Sequence, residues 1–148
     1  MDVKISRIPE DEKELVDIRC YNETDSVREI AAFVRSRQGQ LSGTLEGRQY
    51  GISVSEIMYI ESVDNRTFIY TSSKVYESKQ RIYELEGILK PKHFLRVSKA
   101  ALVNLMKISS VKPALGGRFS AVLTNGEEII ISRKYVSDLK NTLRGDEA

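Results

Sequence analysis

The sequence predicts a mainly β protein with short helices, an α+β chain in which antiparallel sheets follow a small β-β-α unit. Three observations predict it. From Leu41 onward the pattern is mostly β, in short apolar-rich runs separated by turn residues. Asn125-Gly126 stands between two such runs, and that dipeptide suits a hairpin turn with positive φ at its central residues. Helical spacing of apolar residues is confined to three short stretches, around Val27–Val34, Ile82–Leu89 and Tyr135–Leu143.

Taken in order, residues 2–8 and 15–21 alternate and read as two strands joined by a turn at Pro9-Glu10-Asp11-Glu12. Ser26-Val27-Arg28-Glu29 has the pattern of a capping box, in which hydroxyl and carboxylate satisfy free N–H groups at a helix start. Val27, Ile30, Ala31 and Val34 then share one helix face, and Gly39 suits the helix end. A boundary near 40–46 divides the chain into an extension, 1–40, and a domain, 41–148. The apolar helix face of the extension needs a partner, so dimerisation or partner docking is its expected role. Strands are predicted at 41–45, 48–52, 57–63, 67–71, 75–77, 94–97, 108–112, 118–124 and 127–132. Between them, Ser78 caps a helix striped by Ile82, Leu85 and Leu89 and stopped by Pro91; Val136, Leu139 and Leu143 line the last helix.

Composition excludes several classes. The chain has 148 residues, 41% hydrophobic and 30% charged, enough for one packed domain with an appendage. One cysteine, Cys20, rules out an internal disulfide, and with a single histidine, His93, no protein-only zinc site is expected. Cys20 alternates with Val16 and Ile18, which predicts a buried thiol. No apolar run approaches the roughly 18 residues of a spanning helix, and Met1-Asp2-Val3-Lys4 opens no signal-peptide core, so the cytoplasm is the expected compartment. Glu127-Glu128 reads as a hairpin shoulder and Gly116-Gly117 as a turn, with no helix of the P-loop kind behind it. No nucleophile–base order, nucleotide fingerprint or metal-ligand spacing appears. The expectation is therefore no enzyme, no cofactor, no metal and no small-molecule substrate.

Charge is unevenly placed. Residues 1–47 hold 7 Lys/Arg against 10 Asp/Glu, whereas 90–140 hold 10 against 3. A basic stretch of this kind is the footprint expected for phosphates, although a lysine-rich soluble surface has the same composition. Three places within or near it could present donors. Ser98-Lys99 interrupts the alternating run that starts at Phe94. Arg133-Lys134 follows the apolar run 129–131. Asn65, Arg66 and Thr67 follow Tyr59-Ile60-Glu61-Ser62. Arginine can read guanine and asparagine adenine bidentately, while Lys and Ser mostly hold phosphate. Each place also has a plain reading: an exposed strand end, a helix start with solvated charges, and an ordinary Asp-Asn turn.

Ile57-Met58-Tyr59-Ile60-Glu61-Ser62, the Ile82/Leu85 helix, Phe94-Leu95-Arg96-Val97, Leu102-Val103-Asn104, Asn125-Gly126-Glu127 and Ser132-Arg133-Lys134-Tyr135 stand in an order and spacing that resemble the LytTR family of DNA-binding domains. The resemblance covers about 42–144. It implies elongated antiparallel sheets that meet successive major grooves of double-stranded DNA through loops and strand ends, and a role in transcriptional regulation like that of a response-regulator output domain. By position it places DNA contacts on Asn65, Arg66, Thr67, Ser98, Lys99, Arg133 and Lys134. One departure matters: the family's usual His-Arg-Ser is Ser98-Lys99-Ala100 here, and lysine keeps the charge but loses the bidentate fork. The chain has no room for a receiver and looks like a short stand-alone subgroup, expected to be homodimeric. Resemblance alone implies a membrane-protein regulator. The alternative reading is a protein-interaction module whose basic face meets an acidic partner or an anionic membrane.

Overall fold

Ten strands and three helices make up the protein in a computed structural model that describes residues 1–143. After α1 (Asp25–Arg37) come β1 (Gln40–Leu45), β2 (Arg48–Ser53), β3 (Ile57–Val63), β4 (Arg66–Thr71) and β5 (Val75–Ser78). Then follow α2 (Ile82–Leu89), β6 (Phe94–Ser98), β7 (Ala101–Asn104), β8 (Ile108–Pro113), β9 (Phe119–Leu123), β10 (Glu128–Ile131) and α3 (Arg133–Leu143). All pairings are antiparallel. One sheet has seven strands in the order β2-β1-β5-β4-β3-β7-β6, the other three in the order β10-β9-β8. The mainly β, α+β class read from the sequence is therefore the observed one.

Two apolar layers sandwich the larger sheet. On one face Ile57, Ile60, Ile69, Phe94 and Leu102 pack against Leu85 and Leu89 of α2. On the other, Met58, Val97, Ala101 and Val103 meet Ala121, Leu123 and Ile131 of the smaller sheet and Val136 and Leu139 of α3. The central strands are thus covered on both sides. That explains β7, which the alternation rule misses: Ala101–Asn104 is buried at all four positions, and a strand buried on both faces does not alternate. Asn104 ends it in a structural role. Its Nδ2 donates to the Ile57 carbonyl at 2.8 Å and its Oδ1 accepts the Met106 N–H at 3.0 Å. Gly43 lets β1 pass beneath Tyr50 and Tyr76, since a Cβ there would lie 2.8 Å from the Tyr76 Cβ.

The N-terminal extension differs from its expectation. Residues 2–8 and 15–21 form no strands. The turn between them is made, with Glu12 N–H donating to the Pro9 carbonyl at 3.1 Å, but neither segment finds an edge to pair with. Val3, Ile5, Leu15, Val16 and Tyr21 are left exposed, and Cys20 is exposed too, not buried. The helix begins earlier than the Ser26 pattern suggested: Thr24 is the N-cap, its Oγ accepting the Val27 N–H at 3.3 Å. Only Val27 of α1 is buried, and the helix as a whole packs beside β1. Ser78 likewise caps the turn before α2 rather than the helix, its Oγ accepting the Gln80 N–H. Among the described residues no helix is long and apolar enough to cross a membrane.

Candidate nucleic-acid interface

Sheet pairing brings the three predicted places to one end of the larger sheet. The β3–β4 hairpin closes there through Asp64 and Asn65, both with positive φ (51° and 61°), between the paired Val63 and Arg66. This is the two-residue turn with φ > 0 at both central positions that was expected at Asn125-Gly126. At the latter place only Gly126 is left-handed, and the loop is longer, with Leu123 N–H donating to the Glu127 carbonyl and Asn125 Oδ1 accepting the Glu127 N–H. Beside the β3–β4 tip lies the β6–β7 tip. Glu61 pairs with Ala101, and Ser62 N–H donates to the Ala100 carbonyl at 2.7 Å. Next in the row comes the start of α3, fastened when Ser132 N–H donates to the Val97 carbonyl at 2.8 Å.

The candidate residues differ in what they can offer. Asn65 and Lys99 are exposed at their hairpin tips. Arg133 and Lys134 are exposed as well, but they form the first turn of α3 and not a strand end, because the helix starts two residues earlier than its apolar stripe shows. Arg133 is seated on the 115–117 turn: a Cβ at Gly117, whose φ is +76°, would lie 2.8 Å from its Cδ. That turn brings Arg118 to the same end, its Nε donating to the Leu115 carbonyl. Thr67 drops out of the candidate set, since it is 3% exposed and points into the protein. Ser98 spends its hydroxyl internally, Oγ accepting the Ala100 N–H at 3.1 Å.

Ion pairing separates the cations further. Among the described residues Lys99, Arg133 and Lys134 have no acidic partner within ion-pair distance, whereas Arg66 and Arg96 do. Arg66 grips Glu77 with Nη2 at 2.7 Å and Nε at 3.0 Å, and stacks over Phe68. The same guanidinium holds the Glu77 carboxyl below its ordinary range. Behind the interface Tyr59 and Tyr70 stack at 4.3 Å, and burial, with Glu127 alongside, pushes the Tyr59 phenol well above its usual value.

Two residues that sequence reading left without a role hold the tips from behind. Arg96 donates from Nε to the Ser98 carbonyl at 2.8 Å, from Nη1 to Glu86 at 2.8 Å and from Nη2 to the Lys99 carbonyl. Arg81 donates from Nη1 to the Asn65 carbonyl at 3.2 Å. Their only sequence signal is a cation on the polar side of an element near a tip, which does not separate a brace from a contact.

Comparison with known proteins identifies the family and the fold. The family model of the LytTr DNA-binding domain matches residues 47–144. The LytTr DNA-binding domain of a Bacillus cereus protein described as a methyl-accepting/DNA response regulator superposes with a TM-score of 0.68, at 23% identity, covering 71% of this chain and 96% of that one. A Staphylococcus aureus (strain NCTC 8325 / PS 47) protein, described as an uncharacterized HTH-type transcriptional regulator, is 28% identical over 130 residues, 86% of this chain and 88% of its own. That alignment is longer than the family match and so reaches into the N-terminal extension. The sensory transduction protein LytT of Bacillus cereus is 25% identical over 93 residues, 63% of this chain but 38% of LytT. No helix-turn-helix pair occurs among the described residues, since strands separate all three helices. This chain belongs to the LytTr DNA-binding domain family.

Proposed function

We propose that the protein binds double-stranded DNA sequence-specifically and regulates transcription. The observation that carries this reading is the row of cations that have no acidic partner among the described residues, Lys99, Arg133 and Lys134, set with Asn65 along one end of the larger sheet. The order along that end is the β3–β4 tip, the β6–β7 tip, then the start of α3. Such a row suits successive major grooves at its two ends, with Asn65 and Arg133 toward base edges and Lys99 between them at a phosphate or a base edge. Arg66 reaches phosphate only by giving up Glu77, and Ser98 acts through its turn. Selection of sites from a random duplex library, followed by gel shifts on the selected and a scrambled duplex, tests the reading. A selected site retained at salt concentrations that release the scrambled one supports it. Equal, weak retention of both, lost together at modest salt, favours an acidic protein partner or an anionic surface.

The extension of residues 1–40 is proposed to serve self-association. Its alternating segments expose Val3, Ile5, Leu15, Val16 and Tyr21 while lacking any strand partner, and a second copy can supply the missing pairing. Removing residues 1–21 leaves the Thr24 cap and the buried Val27 in place. Sedimentation should then report a monomer where the full chain reports a dimer, and a truncated protein that still dimerises contradicts the assignment.

A further inference from the structure

The two tips of the interface share a support, and it is α2. The helix is anchored by Leu85 and Leu89, both fully buried in the core beneath the sheet. From its N-terminal end Arg81, whose own N–H donates to Glu84, sends its side chain to the Asn65 carbonyl. From its middle, Glu86 holds Arg96 through Nη1, and Arg96 donates from Nε and Nη2 to the carbonyls of Ser98 and Lys99. Both arms therefore end on main-chain oxygens of the loops that carry Asn65 and Lys99. Two physical consequences follow. The hairpin tips gain a fixed pose relative to a buried helix, in addition to the strand pairing between them. The carbonyl dipoles of the β6–β7 tip are also neutralised, so that their negative ends do not oppose an approaching phosphate. Arg96 suits this task because the N–H groups of a planar guanidinium are spread over three nitrogens in fixed directions, one each toward a carboxylate and two carbonyls, whereas those of an ammonium radiate from one atom. Its side chain is 16% exposed, which suits a brace better than a contact.

We propose that α2 braces the DNA-reading loops, with Arg81, Glu86 and Arg96 as positioning residues that act through Asn65 and Lys99. The proposal rests on the DNA-binding reading above. It predicts that the brace governs discrimination between sequences rather than charge-driven attraction to DNA.

The test compares wild type with Arg96→Lys, Arg96→Met, Glu86→Gln, Arg81→Met and, as a reference, Lys99→Ala. Each is titrated with salt on a selected and a scrambled duplex, and amide exchange at Lys99 and Ala100 is followed in the free protein. Arg96→Lys and Arg96→Met should weaken the selected complex about tenfold or more and the scrambled complex less than twofold. Their slope of log K against log salt should not change, and exchange at the β6–β7 tip should quicken. Glu86→Gln should move the same quantities less, and should add nothing once Arg96 is Met. If Arg96→Met does not fold, Arg96→Lys and Glu86→Gln decide the matter. Equal loss on both duplexes, with a slope flattened by about 0.9, means that Arg96 touches phosphate itself and overturns the brace. Unchanged discrimination in a folded Arg96 variant overturns it as well. If Lys99→Ala alters binding while the Arg96 variants do not, the brace fails alone; if Lys99→Ala also has no effect, the DNA-face reading fails with it.

Discussion

The β3–β4 tip and the β6–β7 tip lie side by side and are held by different means. The first is made by local backbone chemistry: Asp64 and Asn65 both take positive φ, which closes a two-residue turn directly between paired strands. The second is made at a distance. Its turn has a bulge between Arg96 and Ser98, and its carbonyls are fixed by an arginine tethered to a helix ten residues earlier in the chain. A locally specified tip should fail only when its own residues change. A remotely specified tip should also fail when α2 changes. The predictions below probe that difference, from the largest effect to the smallest.

The core beneath both tips should matter most. Leu102 is fully buried in the layer between the sheet and α2, and Leu102→Ala should cost ~2–5 kcal/mol. Thermal unfolding should show the loss, and both tips should go together. Lys99→Ala comes next. If Lys99 reads a base it should weaken binding to a selected site by ~1–3 kcal/mol, and if it meets phosphate the loss should fall on all sequences alike; the melting temperature should stay near that of wild type. Asn65→Val should follow, because a β-branched residue at φ 61° strains the turn by about 1–2 kcal/mol. Amide exchange should quicken at the β3–β4 tip and leave the β6–β7 tip unchanged.

The smallest effect should be the pH dependence of the Arg66–Glu77 pair. Arg66 holds the Glu77 carboxyl below its ordinary value of 4.5. A carboxyl with a lowered folded-state value stabilises the fold above its ordinary value, and that contribution is lost as pH falls through the lowered one. The pair is solvent-exposed and screened, so the change in stability should be slight. Titration of the Glu77 carboxyl carbon by NMR should show the depressed value in wild type and a return to the ordinary range in Arg66→Ala. An unaltered Glu77 titration in that variant contradicts the pairing.

How far the sequence could be read follows the same division between local and remote causes. Residues 40–45 alternate and form a strand because β2 and β5 flank them. Residues 2–8 carry period-two spacing and form none, pairing with none of the edge strands β2, β6, β8 or β10. Period-two spacing reports a face, and the partner that turns a face into a strand lies elsewhere in the chain or outside it. β7 was illegible for the opposite reason, burial on both faces. At this end of the sheet, charge and spacing pointed to Lys99, Arg133 and Lys134 as exposed cations, since cations near element ends leave a trace in composition. They could not separate Arg66 or Thr67 from them, because the Glu77 partner and the inward turn of Thr67 depend on strand pairing. Nor could they assign Arg96 and Arg81, whose targets are backbone oxygens and carry no side-chain signature.

The proposed DNA face is the end of the larger sheet where Lys99, Arg133 and Lys134 have no acidic partner among the described residues. The most direct measurement is a salt titration of wild type, Lys99→Ala and Arg133→Ala on a selected and a scrambled duplex. Each lost phosphate contact should flatten the slope of log K against log salt by about 0.9, and a lost base contact should reduce discrimination instead. Val97→Ala, which removes a methyl pair buried beneath the same tip, should lower the melting temperature and leave the slope alone. Wild-type affinity and slope in both Lys99→Ala and Arg133→Ala on the selected site would place the DNA face elsewhere on the molecule.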